Sequence, residues 1–146
     1  MKHKMPLVKN VMTAFPYFIE AGAPIAKARE MMYEHKIRHL PVMDKHELVG
    51  ILSERDVDIA FSLSEHILDS KGVTVETICR REVFSVDIHA ELDKVALSMA
   101  DRHIGSAVVL KEGRLAGIFT STDACRFLGQ YLQDRFGGGD DEPMLA

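Results

Sequence analysis

From Ile25 the apolar residues Ala28, Met31 and Met32 recur three and four positions apart, the stripe of an amphipathic helix. Pro24 before them falls at a first helical position, where its missing N–H costs nothing. The pattern then changes. His39 to Met43 and Leu48 to Leu52 are short apolar runs on either side of the polar stretch Asp44-Lys-His-Glu, which predicts two strands joined by a tight turn. A second helix is expected from Glu54, carrying Val57, Ile59, Ala60 and Phe61. An opening segment, Val8 to Thr13, and an extended piece, Tyr17-Phe18-Ile19, precede the first helix.

The same pattern returns in the second half. A shift of 67 residues lays Ala23-Pro-Ile-Ala-Lys-Ala on Ala90-Glu-Leu-Asp-Lys-Val, and no gap is needed from residue 23 to residue 56. Met32 falls on Met99, Ile37 on Ile104, Val42 on Val109, Leu48 on Leu115, Gly50 on Gly117, Ile51 on Ile118 and Asp56 on Asp123. These coincidences lie at apolar positions, one glycine and one acid, where a shared backbone would constrain residue type. The second turn is Lys111-Glu-Gly-Arg, in which Gly113 can supply a positive φ, and the last helix is expected to start at Ser121 with Phe127, Leu128, Tyr131 and Leu132. The chain therefore divides into unit 1 (8–69), a linker (70–74), unit 2 (75–134) and a tail (137–146) whose three consecutive glycines predict mobility. A unit of about 60 residues is marginal alone. The expected fold is α+β: two pseudo-symmetric β-α-β-β-α units packed sheet to sheet.

Composition narrows the function. Of 146 residues, 47% are apolar and 27% charged, enough for a core without disulfides or a structural metal. The net charge of −4, with no basic stripe, argues against a duplex nucleic-acid partner. Apolar runs such as Ala107 to Leu110 are far too short to span a bilayer, and no apolar stretch follows Met1-Lys-His-Lys, so neither a membrane span nor a secretory signal is expected and the expected compartment is the cytoplasm. Cys79 and Cys125 form no CxxC, and the seven histidines show neither HExxH nor HxH, so no metal is expected. Met31, Met32, Met43 and Met99 occupy apolar repeat positions and are expected in the core.

The strongest chemical signal is duplicated: Gly50-Ile-Leu-Ser-Glu-Arg-Asp and Gly117-Ile-Phe-Thr-Ser-Thr-Asp. Each runs from a buried strand into a helix, so backbone N–H groups and a hydroxyl face outward at a partly positive helix terminus, a corner that suits a sugar phosphate. Asp56 or Asp123, three residues after the hydroxyl, is an acceptor able to take both hydroxyls of a ribose. The same spacing also describes a capping box, with Ser53 or Thr120 and its acid satisfying the first helical N–H groups. The two readings are compatible, since an acid can cap until a ligand arrives. No nucleophile and base pair, P-loop or dinucleotide fingerprint is present, which excludes the familiar catalytic patterns and points to a binding module.

Val11-Met-Thr, Ile37-Arg-His-Leu-Pro-Val-Met-Asp and Gly50-Ile-Leu-Ser-Glu-Arg-Asp in unit 1, with Ile104-Gly-Ser-Ala-Val-Val-Leu and Gly117-Ile-Phe-Thr-Ser-Thr-Asp in unit 2, resemble the cystathionine β-synthase (CBS) domain, which occurs in tandem pairs. The resemblance covers residues 8 to 134. It implies a regulatory module for adenosine-containing ligands, AMP, ADP, ATP or S-adenosylmethionine, held in clefts between the units, usually as a dimer of pairs. It further implies one cleft of Ser53, Arg55 and Asp56, with Arg38 and His39 near phosphate and adenine against Phe84, Gly105, Ser106 and Ala107. The other combines Thr120 and Asp123 with Tyr17, Ile37, Arg38 and His39. Gly105 and Ser106 stand where unit 1 has Arg38 and His39, which removes phosphate charges from that second cleft unless Arg102 or His103 supplies them from the end of the preceding helix. Arg38 and His39 equally fit as a solvated strand-edge arginine and a half-buried neighbour of the sheet. The leading expectation is a nucleotide sensor, without a catalytic cofactor, that signals to an unidentified partner protein and forms a homodimer; the alternative is a dimerisation or scaffold module with degenerate clefts.

Overall fold

The computed structural model describes residues 4–67 and 72–137; most of the predicted tail and part of the linker lie outside the described residues. The elements follow the hydrophobic pattern closely. A 3-10 turn (Val8–Asn10) leads to β1 (Thr13–Ala14), β2 (Ile19–Glu20), α1 (Ile25–His35), β3 (His39–Asp44), β4 (Glu47–Ser53) and α2 (Glu54–Ile67). Unit 2 follows with α3 (Val75–Ile78), β5 (Ser85–Asp87), α4 (Leu92–Arg102), β6 (Ser106–Lys111), β7 (Arg114–Thr120) and α5 (Ser121–Phe136), an isolated bridge between Arg80 and Ile51 standing where unit 1 has β1.

The 67-residue shift holds at atomic detail. α1 maps onto α4, β3 onto β6 and β4 onto β7 at both ends, and both hairpins carry a register shift at equivalent places, Val42/Met43 and Val109/Leu110. Lys36 and His103 close the two first helices in the left-handed region, at φ 55° and 54°. The hairpin turns use positive φ at Lys45 and His46 and again at Glu112 and Gly113, the geometry that matches strand twist. Pro24 differs from expectation by one position: it is extended, at φ −70° and ψ 150°, and caps α1 instead of opening it.

The sheets have the orders β2-β3-β4 and β1-β7-β6-β5 and approach one another along β4 and β7. Two cores result. Ile19, Ala28, Met32, Leu40, Val42, Leu52 and Val57 form the first, and Val95, Met99, Ala107, Val109 and Phe119 belong to the second. Met43 is buried as well, while Met31 packs against the first core from its rim.

The opening segments are exchanged between the units. Val8 is buried in the second core, its N–H donates to Ala90 O at 2.8 Å, and β1 pairs with β7. Val75 is buried in the first core, its N–H donates to Ala23 O at 2.8 Å, and Arg80 and Ile51 exchange two backbone hydrogen bonds of 2.9 Å. The motif glycines admit these visitors. A Cβ on Gly50 would stand 2.6 Å from Cys79 Sγ and 2.9 Å from Arg80 O, and one on Gly117 would run into the Met12 side chain and come within 3.0 Å of Thr13 O. The exchange brings residues near 80 beside the start of α2.

Candidate functional site

Both strand-to-helix corners are closed by reciprocal caps. Asp56 N–H donates to Ser53 Oγ at 3.2 Å, and Ser53 N–H donates back to Asp56 Oδ2 at 3.3 Å. At the other corner Asp123 N–H donates to Thr120 Oγ1 at 3.3 Å and Thr120 N–H to Asp123 Oδ2 at 3.0 Å. The capping geometry inferred from spacing is therefore present twice. It uses only part of each carboxylate, which offers about four acceptor positions.

The two acids differ in what else holds them. Asp56 has Arg80 Nε at 3.8 Å, an ion pair whose arginine is two-thirds exposed and which is consequently weak. Asp123 is buried, accepts from Thr13 Oγ1 at 3.3 Å and has Arg126 at 3.4 Å. Thr13 stands at the position that Arg80 takes in the repeat, so the exchanged segment brings a hydroxyl to one acid and a guanidinium to the other.

A cavity of about 1060 Å³ opens beside Asp56. Unit 1 contributes His39, Ile51, Ser53, Arg55 and Asp56 to its wall; Arg80, Arg81, Glu82, Val83 and Phe84 line it from the exchanged segment, and Arg102 to Ser106 from the end of α4 and the start of β6. Four arginines thus face two carboxylates, those of Asp56 and Glu82. The Arg102 guanidinium lies over the Phe84 ring, 4.5 Å from its centroid. The His39 ring sits against Gly105, where an added Cβ would be 3.4 Å from two of its atoms. Half-burial, and next the positive charge of Arg38, pull the His39 pKa below the ordinary histidine value, against the smaller opposing effects of Asp56 and Glu54. The imidazole is therefore held toward its neutral form. Burial pushes the Cys79 thiol up, which keeps it from being a ready thiolate.

Of the residues expected at the first cleft, Ser53, Arg55, Asp56, His39, Phe84, Gly105 and Ser106 are brought together here. Arg38 and Ala107 are not among the lining residues: Arg38 is exposed, its carbonyl accepting from Glu54 N–H at 2.8 Å, and Ala107 is fully buried in the second core. At the other corner Thr120 and Asp123 are joined by Thr13, while Tyr17 is stacked on His35, ring centroids 3.7 Å apart, and Ile37 packs against the first core. Arg80 and Arg81 are additions to the expected first cleft, and Arg102 and His103, which the sequence offers to the second cleft, line this one instead. The signal for Arg80 and Arg81 was present in the repeat, which aligns Arg80 with Thr13 of an opening segment, but only the exchange carries that segment to Asp56. Among the described residues no cluster of His, Cys, Asp and Glu is arranged to hold a metal ion, and no helix is long and apolar enough to cross a membrane.

The two repeated units have counterparts in known proteins. The family described as CBS domain matches residues 8–62 and again 75–130. The chain belongs to the CBS domain family. This CBS pair is 27% identical over 141 residues to Hypoxic response protein 1 of Mycobacterium tuberculosis, covering 96% of this chain and 97% of that one. It is 30% identical over 131 residues to the L-aspartate semialdehyde sulfurtransferase of Methanocaldococcus jannaschii, covering 88% of this chain but spanning only 24% of the enzyme. Among solved structures, it resembles the CBS domain pair of protein MJ0100 in complex with 5′-methylthioadenosine and S-adenosyl-L-methionine. That likeness has a TM-score of 0.76 and 28% identity, over 88% of this chain and 99% of that one.

Proposed function

We propose that this CBS pair is a regulatory receptor for an adenine nucleotide, bound in the cavity beside Ser53 and Asp56. The carrying observation is the convergence there of a helix start with Arg55, Arg80, Arg81 and Arg102. Asp56 takes the ribose hydroxyls, the N-terminus of α2 with Arg55, Arg80 and Arg81 takes the phosphates, and the base lies toward Phe84 and Gly105. The MJ0100 pair, with its two adenosine-containing ligands, supports the nucleoside half of the assignment. Arg55, Arg80 and Arg81 favour phosphate, so ATP and ADP bind more tightly than AMP, and all three more tightly than adenosine or the sulfonium S-adenosylmethionine. Thr120 and Asp123 form the weaker corner, because Thr122 and Thr13 stand where the first has Arg55 and Arg80. Occupancy alters the packing of the two units and is passed to a partner protein. A second copy of the chain is the other expected partner, since Ile59, Leu63, Leu128, Tyr131 and Leu132 are all more than two-fifths exposed on the helices.

Calorimetric titration with ATP tests the assignment. One tight site is expected, and Asp56→Ala weakens it about 10- to 100-fold, the value of a charged acceptor lost from ribose (roughly 1.5–3 kcal/mol), while lost capping costs about 1 kcal/mol of stability. Unchanged affinity in a destabilised variant assigns Asp56 to capping alone. No binding by wild-type protein leaves the scaffold alternative.

A further inference from the structure

Arg102 differs from the other arginines of the cavity. Arg55 lies in the first turn of α2, Arg80 is beside Asp56 and Arg81 follows it, so these three belong to the phosphate and ribose end. Arg102 comes from the last turn of α4 and its guanidinium carbon lies over Phe84, 4.5 Å from the ring centroid; Phe84 also lines the cavity. The arrangement is built twice. Shifting back by 67 residues turns Arg102 into His35 and Phe84 into Tyr17, and those rings also stack, 12° from parallel. A planar side chain from the end of the first helix thus covers the aromatic residue of the extended segment in both units, although neither residue type is kept. In the first cavity the covering group is a guanidinium on a long exposed stem, whose removal from the ring needs only rotamer changes.

We infer that Phe84 and Arg102 are the two jaws of a purine clamp: Arg102 lifts from Phe84, the base enters between them, and the guanidinium closes on its outer face. This rests on the nucleotide assignment above and names the residue that makes the site select for a base. Purines stack on aromatic rings and on guanidinium planes, and a delocalised planar cation does this where an ammonium does not. Without a base, Arg102 returns to Phe84, so a sugar phosphate gains nothing from the pair.

The test compares AMP with ribose 5-phosphate on the full chain, the latter by competition against AMP, in wild type, Arg102→Ala and Arg102→Lys. Arg102→Ala is expected to weaken AMP about 3- to 30-fold, the range of a stacked cation, and to leave ribose 5-phosphate within about twofold. Arg102→Lys keeps the charge at the end of α4 and is expected to lose AMP affinity nearly as far. In wild type the adenine H2 and H8 resonances of bound AMP move upfield through the Phe84 ring current, a shift that Phe84→Leu abolishes. Equal losses for AMP and ribose 5-phosphate, full rescue by lysine, or adenine resonances indifferent to Phe84→Leu each overturn the clamp while leaving a nucleotide site. Failure of wild type to bind AMP or ATP overturns the nucleotide assignment itself, and the clamp with it.

Discussion

Gly50→Ala adds one methyl group at the place where the exchanged segment touches β4. Its Cβ would sit 2.6 Å from Cys79 Sγ and 2.9 Å from Arg80 O, both nearer than real Cβ contacts allow. The thiol can rotate aside, but the carbonyl is backbone and is held by the N–H of Ile51 at 2.9 Å, with Arg80 N–H returning a bond of 2.9 Å to Ile51 O. Overpacking of this kind costs about 1–3 kcal/mol, and strain or loss of the two hydrogen bonds adds roughly 0.5–1.5 kcal/mol each. Gly50 has no positive φ, so alanine recovers about 0.4–1 kcal/mol by restricting the unfolded chain. The balance is a destabilisation of about 2–4 kcal/mol. Urea unfolding followed by circular dichroism measures it. Gly129→Ala supplies the control with the opposite sign: nothing lies within 4 Å of a Cβ at this exposed position inside α5, and a helical Gly-to-Ala change gains up to about 1 kcal/mol. Arg80 moves with its carbonyl, so ATP affinity falls together with stability. A Gly50→Ala protein within about 0.5 kcal/mol of wild type, with unchanged ATP affinity, refutes the tight docking of the exchanged segment.

Two further outcomes are expected. Because the folded pKa of His39 lies below its unfolded value, the unfolded chain takes up the proton first: the stabilisation is fully present above about pH 6.5 and is lost as the pH falls from there through the folded pKa. His39→Gln removes that part of the slope, and identical pH–stability curves for the two proteins between pH 7.5 and 5 would discard the burial argument. The exposed apolar side chains of α2 and α5 predict a homodimer, so light scattering at micromolar concentration should give about twice the 16.3 kDa chain mass, and a monomer would contradict this.

Local pattern was enough for the elements. The three- and four-residue spacing from Ile25 and the apolar runs on either side of Asp44-Lys-His-Glu specify conformation through neighbours on one helix face or one hairpin, interactions that need no distant partner. The duplicated Gly-x-x-Ser/Thr-x-x-Asp motif likewise carries its own geometry, because hydroxyl and carboxylate cap the helix they begin. The repeat fixed which residues of the two units correspond and therefore where their chemistry differs. It could not say that Val8 and Thr13 would join unit 2, or Val75 and Arg80 unit 1. A two-residue strand has almost no register signal of its own, and its sheet was chosen by a gap on the far side, the missing side chain of Gly50 or Gly117. From that choice follow the guanidinium of Arg80 beside Asp56, the hydroxyl of Thr13 beside Asp123, and the cationic wall of one cavity. Arg102 over Phe84 is decided in the same way: eighteen positions separate them in the chain, and only the packing of α4 across β5 and β6 makes them one surface.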